Sequence, residues 1–88
     1  WVTLTNNSNV SIKYRFNKIS TEIIVENGTY TISQETEVAK IPLNVCPPLL
    51  IYMSGTGGLQ LRIETDGLLK IICPVAYSRG FISFSHKS

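Results

Sequence analysis

Val10, Ile12, Tyr14 and Phe16 alternate with Ser11, Lys13, Arg15 and Asn17, a period of two unbroken over residues 10–17. Successive side chains of an extended chain point to opposite faces, so this stretch predicts a strand with one face in a core and one in water. Val2 and Leu4 alternate with Thr3 and Thr5 in the same way and run into Asn6-Asn7-Ser8-Asn9. Short polar side chains of this kind favour turns, which predicts a first strand and the turn that ends it.

Residues 19–33 predict a hairpin, because Asn27-Gly28 tolerates the two positive φ angles of a type I′ turn. With those two residues as the loop, Val25 faces Tyr30 and Ile23 faces Ile32, while Ile24 faces Thr31 and Glu22 faces Ser33. One face is then apolar and the other mixed, as a sandwich strand pair requires. A second hairpin is signalled by Asp66-Gly67 between residues 59–64 and 69–73. A two-residue loop would set Lys70 against Ile63 and mix the faces. A bulged loop of Thr65, Asp66 and Gly67 instead pairs Ile63 with Leu69 and Leu61 with Ile71. Its cost is Arg62 opposite Lys70 on the wet face, a like-charge pair screened by solvent.

Between the hairpins Ala39, Ile41, Leu43 and Val45 alternate with Lys40, Pro42 and Asn44. Pro42 has no N–H for a ladder, so this strand belongs at an edge or carries a bulge. Cys46-Pro47-Pro48 breaks the chain before the apolar run Leu49 to Met53, which reads as a strand buried on both faces. Gly55, Gly57 and Gly58 make the next loop, Phe81 to Ser85 a last short strand, and residues 86–88 a tail. The one helical candidate is a turn in Ser33 to Glu37. Seven to nine short strands with turn signals between them predict a single all-β domain over residues 1–88. Its architecture is a small antiparallel two-layer β-sandwich, immunoglobulin-like or a related Greek key.

Composition narrows what such a domain does. With 43% hydrophobic and 16% charged residues in 88, the chain is too apolar for disorder, and its longest apolar run is far short of the roughly 20 residues that span a bilayer. A net charge of +2 with both signs interspersed creates no field that calls for nucleic acid or anionic lipid. The start at Trp1 is what a mature secreted product, a proteolytic fragment or an excised domain would show. Cys46 and Cys73 each close a predicted strand and each precede proline, a placement where a bridge leaves the ladders undistorted. The favoured reading is a disulfide worth about 3–4 kcal/mol in the chain-entropy model, which goes with a secreted or extracytoplasmic location. The alternative is a pair of buried thiols. Asn6, Asn9 and Asn27 each head an N-x-S/T triplet in a predicted turn, so all three are candidate glycosylation sites, although turn-rich composition produces such triplets unaided.

No reactive constellation emerges. A serine-type triad needs an oriented histidine, and His86 lies in the tail. Glu22, Glu26, Glu35, Glu37, Glu64 and Asp66 fall on wet faces or turns, as solvated surface does. Gly55-Thr56-Gly57-Gly58 has the glycines of a phosphate loop but neither the Lys-Ser/Thr nor the helix that follow one. Lys13, Arg15 and Lys18 interleave with Tyr14 and Phe16, which point to the core and offer no stacking platform for bases. Met53, His86 and the cysteines are too dispersed for copper or zinc. The expectation is therefore no catalytic, cofactor or metal residues. Function is expected at edges and loops instead. The candidates for partner contact are Lys13 and Arg15 on the wet face, Lys40 and Asn44 at the proline-bearing edge, and Gly57 in the glycine loop.

Residues 2–8, then Ile12-Lys13-Tyr14-Arg15-Phe16 and Ile23 to Gly28, resemble the opening of PapD-like immunoglobulin modules such as the major sperm protein. These show an apolar strand, an Asn/Ser turn and an aromatic second strand. The resemblance covers about the first half of the chain; Cys46-Pro47-Pro48 and the glycine loop depart from it. It implies a non-enzymatic interaction module and carries over no ligand-binding residue. The leading expectation is thus a non-catalytic β-sandwich that acts by contact with another protein. The alternatives are a small secreted disulfide-containing effector, toxin or inhibitor, and a β-barrel that binds a small ligand.

Overall fold

A computed structural model describes residues 1–4 and 10–86. They form eight strands: β1 (Val2–Thr3), β2 (Val10–Phe16), β3 (Ser20–Asn27), β4 (Ile32–Lys40), β5 (Ile51–Ser54), β6 (Gln60–Ile63), β7 (Leu68–Cys73) and β8 (Arg79–Ser85). The strands make two four-stranded sheets with the orders β1-β2-β3-β8 and β4-β7-β6-β5, every pairing antiparallel. The two-layer sandwich read from the alternation is the fold. In the second sheet β5, β6 and β7 follow one another as neighbours and β4 lies beside β7, which is a Greek-key order. In the immunoglobulin order the second and third strands lie in different sheets. Here β2 and β3 are neighbours in one sheet, so the related Greek key describes this chain and the immunoglobulin order does not.

The core follows from the period of two. Val10, Ile12 and Tyr14 of β2 and Thr21, Ile23 and Val25 of β3 turn inward from the first sheet; Leu61 and Ile63 of β6 and Leu69 and Ile71 of β7 meet them from the second. Thr21 joins the layers by a buried hydrogen bond, its Oγ1 donating to Val45 O at 2.8 Å. Phe16 has the inward parity of β2 but lies at its end and is exposed, with its ring stacked on Tyr14 at 6.2 Å.

The bulged hairpin forms in the register its faces require: Leu61 opposite Ile71, Arg62 opposite Lys70 and Ile63 opposite Leu69. Gly67 has φ +95, a conformation that costs a glycine little, and a Cβ there would collide with Ile41 O. The like-charge pair is bridged by Glu64, whose carboxylate lies 3.7 Å from both Arg62 Nη2 and Lys70 Nζ. Glu35 adds a contact to Arg62 Nη1 at 3.4 Å.

Four expectations are corrected. Residues 19–33 do not form a hairpin: β3 is paired on both sides, by β2 and β8, so the chain leaves the sheet after Asn27 and enters the other layer as β4. Gly28 is not among the glycines with positive φ, and Asn27 is the last residue of a strand. Residues 33–37 belong to β4, not to a helical turn, while the residues after Lys40 leave the strand, and Leu43–Val45 is a single 3₁₀ turn. The edge and the bulges expected near Pro42 do occur, but in β4, whose register shifts twice. Finally, Leu49 to Met53 is not buried on both faces: β5 is an edge strand, and only Met53 of this run is buried. The predicted turn at residues 6–9 lies outside the described residues.

Candidate binding surface

At the pole where β3 and β7 end, three connections meet: residues 28–31, 55–59 and 74–78. Asn27 ties the first and the last of them together. Its backbone N–H donates to Ser78 O at 2.8 Å, and its side-chain Nδ2 donates both to Tyr30 O at 2.6 Å and to Val75 O at 3.3 Å. An amide is suited to this because it offers two donors in one rigid plane. Tyr77 N–H then reaches Gly28 O at 2.8 Å, and Ser78 Oγ donates to Val75 O at 2.7 Å. On the far side Thr56 Oγ1 accepts from Arg79 N–H at 3.0 Å and donates to Arg79 O at 3.3 Å, so one hydroxyl fastens the 55–59 connection to the start of β8. A Cβ on Gly57 would collide with Ser78 Oγ, which places this backbone directly against the 74–78 connection.

These ties hold a display of uncharged side chains in water. Tyr77 is 72% exposed, Tyr30 60% and Val75 52%, with Pro74 and Gly57 exposed beside them. Tyr77 has φ +60, the only positive φ at a non-glycine among the described residues. A left-handed backbone costs an L-residue about 1–2 kcal/mol. The exposed ring recovers none of this by burial; the hydrogen bond to Gly28 holds the backbone in place. Aromatic rings with a polar tip, fixed on braced loops, lose little freedom when a partner covers them.

The five residues singled out from the sequence are not brought together. Gly57 is in this display. Lys40 ends β4 and Asn44 sits in the 3₁₀ turn, both exposed at the opposite pole, beyond the other end of β7. Lys13 and Arg15 lie on the outer face of the first sheet, and Arg15 is engaged: its Nε lies 2.9 Å from Glu22 Oε1, on the neighbouring strand, and its guanidinium 4.3 Å from the centre of the Trp1 ring. The basic stretch is therefore not an open cationic patch.

The expected disulfide fails on geometry. Cys46 and Cys73 are thiols and not a bridge. Cys46 Sγ packs against Gly67, which precedes β7, and Cys73 ends that strand, so the six residues of β7 separate them. Six steps of about 3.3 Å from Gly67 to Cys73 make about 20 Å, against the 7 Å limit between Cα atoms for a disulfide. Asn27 is only 6% exposed and its Nδ2 is occupied by two carbonyls, so the folded chain presents no glycan acceptor there. Asn6 and Asn9 lie outside the described residues.

Other polar groups serve the fold. His86 Nε2 lies 2.9 Å from Asn17 O, and Asp66 Oδ1 accepts from Leu68 N–H at 3.1 Å. Among the described residues no three His, Cys, Asp or Glu side chains are grouped to hold a metal ion. The sequence reading missed Tyr30, Val75 and Tyr77: Tyr30 was placed inside a hairpin, and residues 74–80 have no period to assign. The available signal was an aromatic residue in an aperiodic stretch between Pro74 and Gly80. No family model, curated protein or solved structure matches the chain.

Proposed function

We propose that this domain is a non-catalytic interaction module that binds another protein through the pole formed by residues 28–31, 55–59 and 74–78. The observation that carries the reading is Tyr77, an exposed aromatic side chain kept on a left-handed backbone by a network that joins the 28–31 and 74–78 connections. Strain maintained at an exposed position with no packing to offset it is characteristic of surfaces shaped for contact. Tyrosine, glycine and serine on braced loops are the materials of protein recognition. The secreted-effector alternative drew on the Cys46–Cys73 bridge and loses that support. The ligand-binding alternative needs a closed barrel, and the strands form two separate sheets.

The test is site-specific photo-crosslinking in the cells that make the protein, with the crosslinker at Tyr77 and, for comparison, at Lys13. The expected outcome is one discrete adduct from position 77 that excess wild-type protein competes away. A double variant, Tyr30→Ser with Tyr77→Ser, should unfold at nearly the wild-type temperature yet fail to compete. Equal adducts from both positions, or full competition by the double variant, would refute the assignment. So would a hydrolase or transferase activity that a single substitution abolishes.

A further inference from the structure

Of the four edge strands, three are blunted in the ways that keep sheets from pairing with strangers. The first, β1, has two residues; β4 carries Glu35, Glu37 and Lys40 and shifts register twice; and β5 has four residues. The fourth, β8, is seven residues long, pairs with β3 without a register break, and holds neither charge nor proline from Gly80 to Ser85.

The register shows which of its backbone groups are open. Asn27 N–H bonds to Ser78 O and His86 N–H to Ile19 O, so residues 78, 80, 82, 84 and 86 direct their backbone groups toward β3. Residues 79, 81, 83 and 85 direct theirs outward. Arg79 is closed off, both its N–H and its C=O being taken by Thr56 Oγ1. What stays open is Phe81, Ser83 and Ser85, three N–H and three C=O groups with no strand hydrogen-bonded to them among the described residues; β5 of the other sheet approaches β8 at Gly80, where Met53 and Gly55 lie against it.

We propose that this edge binds a second copy of the chain, β8 against β8 in antiparallel pairing about a two-fold axis at Ser83. The open groups are self-matching in that register and in no other. Ser83 exchanges two hydrogen bonds with its symmetry mate, and Phe81 exchanges two with Ser85 of the other copy on each side of the axis. All the open groups are then used and none is asked of Arg79. A two-fold centred one residue earlier would call on Arg79, which Thr56 already holds. The side chains agree. The half-buried Ile82 of one copy comes to lie beside the half-buried Phe84 of the other, and Phe81, 52% exposed, beside Ser85. No charge lies between Gly80 and Ser85, so over those six residues no charge faces its like across the axis. The first sheets of two protomers become one eight-stranded sheet, and the pairing closes, as an isologous contact must. It begins two residues beyond Arg79, which the loop display holds through Thr56, and it uses none of the groups that display engages.

The experiment is sedimentation equilibrium on the full chain from micromolar to millimolar concentration, joined to amide hydrogen exchange at both ends of the range. The expected result is a monomer–dimer equilibrium in which the amides of Phe81, Ser83 and Ser85 exchange freely in dilute solution and become protected in the dimer. Ser83→Lys, which sets like charges across the axis while leaving the β3 ladder intact, should weaken dimerisation at least tenfold; Ser11→Lys, on the same outer face but away from the edge, should not. Ser83→Cys should give a covalent dimer on mild oxidation, since Cα atoms across such a pair lie about 5.5 Å apart. A dimer indifferent to Ser83→Lys, or one in which those amides stay unprotected, would overturn the proposal. A chain monomeric throughout would also overturn it and leave a foreign strand as the occupant of the edge.

Discussion

Single residues carry much of the geometry, and Gly67 most plainly. Its φ of +95 and the approach of Ile41 O leave no room for a Cβ. Gly67→Ala should cost about 3 kcal/mol, from the backbone penalty and the displaced carbonyl together. In urea this would appear as a lower midpoint with an unchanged slope. Glu64 makes a contrasting case. Its contacts to Arg62 and Lys70 are long and half in water, and exposed pairs contribute little. Yet it separates two cations that the hairpin register places face to face. Glu64→Gln should therefore cost about 0.5–1 kcal/mol at low salt, and the loss should shrink toward zero near 1 M salt.

At the scale of elements, the sequence was readable where local chemistry and burial agree. The bulged hairpin is such a case: the alternation of residues 59–73 permits one register, and Gly67 supplies the turn that register needs. Asn27-Gly28 carried an equally strong local signal, and it misled. Both sides of β3 are claimed by strands from elsewhere in the chain, β2 and β8, and pairing between residues as distant as Ser20 and Ser85 leaves no mark on the residues between. Asn27 serves the fold through its two amide donors, a role that the letters of a turn dipeptide do not distinguish. The run Leu49 to Met53 misled for a different reason. Apolar content gives burial only if a sheet covers both sides, and β5 lies at an edge. Of the candidate surface, only Gly57 was legible, because Tyr30, Val75 and Tyr77 derive their setting from connections that meet in space.

For the molecule as a whole, the thiols are the most direct check on how the layers are assembled. Cys46 and Cys73 are fully buried at opposite ends of β7. Native protein should react slowly with a thiol reagent, denatured protein should yield two thiols per chain, and reductant should leave the unfolding temperature unchanged. A bridge would instead have contributed about 3–4 kcal/mol, lost on reduction.

The chain changes layers at one pole twice, after β3 and again after β7, and the two passages are laced to each other through Asn27, Gly28, Val75, Tyr77 and Ser78. The two passages are tied where Asn27 meets Ser78, so neither is complete without the other, and that contact closes 51 residues of sequence, 78 minus 27. Loop closure of that length is slow to be rewarded during folding. No excised loop peptide contains the display at this pole, because its ties run between connections distant in sequence. A partner docking there, as proposed, would meet only the completed fold.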